Sequence, residues 1–250
     1  MIKRDLPGFK GVYTMIKDHI IILLIFCSLI NVACSPKAQT EPAEVHPAFT
    51  ALNDEIKDDP EEFEITIRYF SADNFVGRPI PGYNANKAFL TTETMRALLN
   101  AHKEFMRLGY KVKIFDAYRP QMAVDYFSSW AADLNDTVNK SQYYPNVNKS
   151  ELFAKGYIAK KSGHSRGSAV DITLIDIKTG EEVDMGSPWD FFDPISSIHS
   201  SQVTEQQLAN RKLLANVMSK HGFKPLDEEW WHFSLISEPF PNTYFNFPIN

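Results

Sequence analysis

The chain has 250 residues, 44% hydrophobic and 23% charged, with a formal net charge of −5. That is enough for one globular domain with a sizeable core, and 18 Phe, 10 Tyr and 4 Trp exclude a disordered chain. Acidic and basic residues are mixed and no basic tract occurs, so a nucleic-acid partner has no electrostatic support.

At the N-terminus, Ile20 to Ile30 is an almost unbroken apolar run behind Lys3, Arg4, Lys10 and Lys17. A bilayer span needs roughly 18 or more apolar residues, so the run fits the core of a signal peptide. Asn31-Val32-Ala33-Cys34-Ser35 follows and resembles a bacterial lipoprotein signal, although Asn31 stands where Leu is usual. That resemblance implies a leader over 1–33, lipidation at Cys34, and a lipid-anchored or secreted protein of the bacterial envelope, with no membrane contact beyond the anchor. Cys27 lies inside the leader, so the mature chain has neither a disulfide pair nor a thiolate metal site. Residues 34–60 are rich in Pro, Ala, Asp and Glu without a period, and read as a flexible tether to a domain over 61–250.

Within that domain, Glu64 to Phe70 alternates as a half-buried strand and Gly77 to Gly82 reads as a loop. Thr92 to Leu108 repeats apolar residues on one helix face and stops at Gly109. Tyr110 to Phe115 is a second strand, and Pro120 opens a helix to about Asp133. The polar, Asn-rich stretch from Asp133 to Ser150 reads as a surface loop. Ala169 to Ile175 is a β-branched strand, Thr204 to Gln207 is a capping box for a helix ending at Gly222, and Trp230 to Leu235 is a final aromatic strand. Helices and strands intersperse without βαβ regularity, which predicts an α+β domain: a mostly antiparallel sheet flanked by helices.

Three segments carry chemistry. In the strand from Ala169, Val170, Ile172 and Leu174 face the core, so Asp171 points the other way, and Gly167 lets the preceding loop return His164 to that face. Taken alone, this is equally an ordinary hydrogen-bonded carboxylate and a loop histidine. The second segment places Glu229 three residues before His232. A regular strand would put them on opposite faces, so both reach one site only if the chain bulges near Glu229 and Trp230. Two histidines, one aspartate and a further glutamate match a catalytic zinc with three ligands and a base for its water. The third segment puts Arg119 after a strand end, where it can meet an oxyanion or equally pair with Asp116. His102 and His221 fall on predicted helix surfaces, and His199 is placed to brace the segment around Asp190.

Together these segments resemble the zinc D-alanyl-D-alanine dipeptidases. The likeness runs from Arg68-Tyr69 and Asp73 to Pro79, through Asp116-Ala117-Tyr118-Arg119-Pro120 and Ser162-x-His164, to Asp184–Asp193 and Glu229-x-Trp231-His232. It implies one zinc per chain on His164, Asp171 and His232, with Glu229 as base and Arg119 stabilising the oxyanion. Asp190 would pair with the ammonium of a small dipeptide, Ser162 would hold its carboxylate, and Tyr69 and Tyr83 would line the pocket. Family members in antibiotic resistance work in the cytoplasm, whereas a lipoprotein leader points to cell-wall peptide turnover. Rival readings are a D,D-carboxypeptidase or murein endopeptidase with the same zinc set, a two-His-one-carboxylate iron oxygenase, and a non-catalytic zinc-binding lipoprotein.

Overall fold

The computed structural model describes residues 44–58 and 63–250, all within one compact unit spanning residues 41–250. The expected leader over 1–33, Cys34 and the first part of the tether lie outside the described residues. The described part of that tether, residues 44–58, does not behave as one. Phe49–Ala51 forms β1 and Leu52–Glu55 a single-turn α1, with Phe49, Ala51, Leu52 and Ile56 buried. Its polar composition masked four apolar residues spaced to reach the core.

Glu64–Ile65 is β2, far shorter than the alternation predicted. Asn86 Oδ1 takes the Ile67 N–H at 2.8 Å, and the chain turns into a 3-10 helix over Arg68–Phe70 that drives Tyr69 inward. Phe89–Thr91 is β3, antiparallel to β1, and Thr92–Arg107 is α2. The Thr91 hydroxyl caps α2 by accepting the Thr94 N–H, and Met95, Leu98, Ala101, His102 and Phe105 form its buried stripe. His102 is thus a core residue rather than a surface one, stacked on Phe63 at 3.8 Å, and burial pushes its pKa down to about 4. Each large apolar side chain sealed this way contributes about 1.5–3 kcal/mol.

Tyr110–Asp116 is β4 and Gln121–Ala132 is α3, with Pro120 just ahead of the helix. The Asn-rich stretch beyond it is not merely a surface loop. It contains the short α4, Lys140–Tyr143, and buries Tyr143, Tyr144 and Val147. The Lys149 ammonium sits 3.7 Å from the Trp130 ring and donates to the Asp133 and Asp136 carbonyls. Ala169–Asp176 is β5, Glu205–Lys220 is α5, Phe223–Leu226 is β6 and Glu229–Leu235 is β7. The Thr204–Gln207 capping box forms as expected. His221, at the end of α5, is partly buried against Glu104 at 2.8 Å, while the His199 ring is exposed and turned to Asp227 rather than to Asp190.

The main sheet has five strands in the order β2-β4-β5-β7-β6. Among the described residues only its β2–β4 pair is parallel, so the mostly antiparallel α+β expectation holds. β5 runs through the centre, flanked by β4 and β7, with both faces buried for seven of its eight residues. Among the described residues, no helix is long and apolar enough to cross a membrane.

Candidate metal centre and active site

The site is assembled on the three central strands. Asp171 on β5 stands opposite His232 on β7, and Asp116 on β4 stands opposite Asp171 on the other side. A register shift between Ile114 and Asp116 makes Phe115 an extra residue and brings Asp116 into that row. His164 arrives from outside the sheet, in a 3-10 turn over His164–Arg166. Gly167 closes that turn at φ +71, where a Cβ would lie 2.2 Å from the Phe49 ring, so only glycine fits.

The ligand atoms form a nearly equilateral triangle. His164 Nε2 is 3.2 Å from Asp171 Oδ1, His232 Nδ1 is 3.0 Å from the same oxygen, and the two nitrogens are 3.1 Å apart. Atoms bound at about 2.0–2.1 Å around one tetrahedral zinc lie roughly 3.3 Å from each other, so the triangle has the right size. The outer bonds fix the imidazoles. His164 Nδ1 donates to the Ala117 carbonyl at 2.7 Å, which turns Nε2 toward the centre. His232 Nε2 meets Ser234 Oγ at 3.2 Å, which turns Nδ1 toward the centre. Asp171 Oδ2 accepts from Trp189 Nε1 at 3.3 Å. Burial works against the Asp171 charge, but both histidines outweigh it and hold the carboxyl well below its usual range. A lasting anion between two imidazole nitrogens is what a divalent cation requires.

The bulge expected near Glu229 is present. Pro225 pairs with Phe233 but the next residue, Leu226, pairs with Glu229, so Trp230, Trp231 and His232 are looped out of that ladder. Glu229 therefore lines the same cavity as the three ligands, with Arg119, Asp190, Tyr69 and Ser162. Burial pushes Glu229 up from 4.5 to about 7, against the pull of His232. Such a carboxyl is poised to carry a proton near neutral pH.

Arg119 pairs with Asp116 and still lines the cavity. Its Nε and Nη2 donate to Asp116 Oδ2 at 3.0 and 2.9 Å, Nη2 lies 3.8 Å from Asp171, and the guanidinium packs over Tyr69 while lining the cavity. Asp190 is buried at φ +59, rare for a non-glycine residue, and accepts from the Tyr69 hydroxyl at 2.7 Å. Burial pushes its carboxyl well above the usual range, with the Tyr69 bond working against that. Ser162 lies in the wall and accepts the His164 N–H at 3.2 Å. Tyr83 is placed differently from expectation: it is buried behind the cavity, donating to Asp116 Oδ1 at 2.8 Å, and does not line it. Asp116, read in the sequence only as a salt-bridge partner, is fully buried and joins Tyr83, Arg119 and the edge of His164. Its three-residue step to Arg119 was the available signal; Trp189 and Ser234 gave none.

Two histidines and an aspartate within reach of one cation, with a raised glutamate and a partly buried arginine lining the same cavity, define the class as a metal-dependent hydrolase. Comparison with known proteins supports that class and narrows it. Residues 55–250 match the model of the peptidase M15 family, described as D-ala-D-ala dipeptidase. The chain is 43% identical over 183 residues to a D-alanyl-D-alanine dipeptidase of Enterococcus faecalis, covering 73% of this chain and 91% of the relative. It is also 43% identical over 182 residues to one of Streptomyces coelicolor, covering 73% and 90%. An Escherichia coli relative of the same name is 32% identical over 174 residues, covering 70% and 79%. A solved vancomycin resistance D,D-pentapeptidase, VanY in complex with Zn(II), overlays at a TM-score of 0.36 and 13% identity, covering 60% of this chain and 74% of that one. That overlay is too slight to bear on the site. The chain belongs to the M15 family of D-alanyl-D-alanine dipeptidases.

Proposed function

We propose that this chain hydrolyses free D-Ala-D-Ala to two alanines at one zinc held by His164, Asp171 and His232. The observation that carries the reading is the shared cavity: the ligand triangle and Glu229 face Asp190 across about 200 Å³. Pockets for drug-sized ligands are usually ~300–1,000 Å³, so the space suits a molecule as small as a dipeptide. The D configuration rests on family membership.

Zinc in the triangle supplies Lewis acidity, lowering the pKa of a water and polarising a carbonyl. Glu229 takes a proton from the attacking water as its oxygen adds to the scissile carbon. Arg119, kept charged and oriented by Asp116, faces the oxygen on which negative charge develops. Glu229 then gives its proton to the amide nitrogen, the C–N bond breaks, and two alanines leave. Asp190, with Tyr69, accepts the substrate ammonium; without that cation its buried carboxyl is costly to ionise. The Ser162 hydroxyl donates to the substrate carboxylate. An N-acylated peptide lacks the ammonium and leaves Asp190 unmatched, which disfavours the D,D-carboxypeptidase reading.

The leader ending before Cys34 supports an envelope location. There the substrate would be dipeptide released from peptidoglycan, in wall-peptide turnover rather than antibiotic resistance. The test is alanine release from D-Ala-D-Ala and from its N-acylated form, with chelator and then zinc. Chelator-sensitive cleavage of the free dipeptide is expected, and preference for the acylated form would overturn the dipeptidase reading. Fractionation of the native host that found the mature protein in the cytoplasm would overturn the location.

A further inference from the structure

Arg211 projects from α5 into the interior and is completely buried. A guanidinium removed from water is costly unless its N–H groups are met. They are met here by the segment that carries Asp190. Nε donates to the Met185 carbonyl at 2.6 Å, and Nη1 donates to the Ile195 and Ser197 carbonyls at 2.8 and 2.6 Å. Nη2 donates to Ser187 Oγ at 3.3 Å. Burial pushes its pKa down to about 10, with Asp184 pulling it back, so the group stays charged at neutral pH.

These bonds fall on both ends of residues 185–197, so one planar side chain closes the segment as a loop. Between the ends, Trp189 donates to the metal ligand Asp171, and Asp190 holds its strained φ of +59 against Tyr69. A strained residue persists only where its surroundings fix it. The same network reaches the base. Ser187 Oγ also accepts from Trp230 Nε1 at 3.0 Å, and Trp230 adjoins Glu229 in the β7 bulge. Ser196 Oγ, 3.1 Å from Ser187 Oγ, donates to the Phe191 carbonyl and ties the two ends once more.

We propose that Arg211 is a positioning residue for substrate selection: it clamps residues 185–197 so that Asp190 meets the substrate ammonium, and through Ser187 and Trp230 it steadies the bulge bearing Glu229. The selection part rests on the reading of Asp190 given above. Lysine cannot replace the clamp, because a point charge lacks the planar fork that spans two loop ends.

Arg211→Lys and Ser187→Ala test it in the zinc-loaded protein, by hydrogen exchange and by kinetics on free and N-acylated D-Ala-D-Ala. In Arg211→Lys, exchange over 185–197 is expected to quicken about tenfold or more as that unit opens locally. KM for the free dipeptide should rise about tenfold to a hundredfold with a smaller change in kcat, and the preference for free over acylated substrate should fall with it. Ser187→Ala should move all three in the same direction by less, and it carries the test if Arg211→Lys does not fold. A variant with lower thermal stability but unchanged exchange over 185–197, KM and preference would overturn the proposal. So would faster exchange with KM and preference intact. If the wild-type protein itself shows no preference for the free dipeptide, the Asp190 reading is what fails, and hydrogen exchange alone decides whether Arg211 clamps the segment.

Discussion

Asp171 and His232 are direct partners across β5 and β7, with Asp171 Oδ1 3.0 Å from His232 Nδ1. Two of the three ligand positions are therefore set by strand register, not by a mobile loop. Sliding either strand by one residue would turn its ligand to the opposite face. The third ligand is set separately, by the turn at Gly167.

Asp171→Asn keeps the shape of this pair and removes its charge. Loss of an outer-shell partner of a metal ligand costs about 10–100-fold in metal affinity, so loss of the anionic ligand itself should cost more. The variant is expected to emerge from dialysis without zinc and without activity, while folding as the wild type does. Metal analysis beside circular dichroism checks this; stoichiometric zinc in the variant would remove Asp171 from the ligand set.

Glu229→Gln separates base from ligand. General acid–base catalysis contributes typically 10²–10⁴-fold, so kcat should fall by about that range with zinc content unchanged. Zinc lost together with activity would instead make Glu229 a ligand.

The approach of His164 and Asp171 to one face, and the bulge, were legible in the sequence because each has a local signature, while their reading as a zinc set came with the family resemblance. Gly167 before a β-branched strand marks a turn feeding Asp171, and Glu229 with His232 at a three-residue step demands an irregular strand. What escaped depends on tertiary packing. His102 lies on the apolar stripe of α2, but polarity suggested a surface until Phe63 was seen stacked on it. Residues 49–56 looked like tether because their few apolar residues matter only once β3 lies beside them. The place of Tyr83 behind the cavity follows from Asp116, whose hub position depends on a register shift that no spacing reveals.

Gly167→Ala tests the turn that delivers His164. An L-residue at φ +71 costs about 1–2 kcal/mol, and a Cβ 2.2 Å from the Phe49 ring adds an overpacking cost of about 1–3 kcal/mol. A stability loss of roughly 2–5 kcal/mol is expected from denaturant midpoints at constant slope, with weaker zinc retention. Full stability would mean that the turn adapts and that glycine is not required there.

Asp190→Asn tests ammonium recognition. Removing one partner of a buried ion pair costs about 3–5 kcal/mol, so KM for the free dipeptide should rise about a hundredfold or more. N-acylated substrate has no ammonium to lose, so its weak turnover should change far less. Equal losses on both substrates would show that Asp190 does not read the amino end.

The raised pKa of Glu229 fixes the sign of a stability effect in the metal-free protein. Burial pushes the folded group from 4.5 to about 7, so between those values it is protonated when folded and ionised when unfolded. The unfolded state then binds fewer protons, and stability must fall as pH rises through that window. At 1.36 kcal/mol per unit, the loss from this one group reaches at most ~3 kcal/mol by pH 7 and then levels off. Glu229→Gln cannot titrate, so relative to wild type it should gain about 2.5 kcal/mol between pH 5 and pH 8 in urea denaturation with chelator present. With zinc bound, the cation offsets the buried carboxylate and the gap should shrink. Stability curves that run parallel across the window would mean that Glu229 is ionised throughout in the metal-free protein, and that burial does not raise its pKa there.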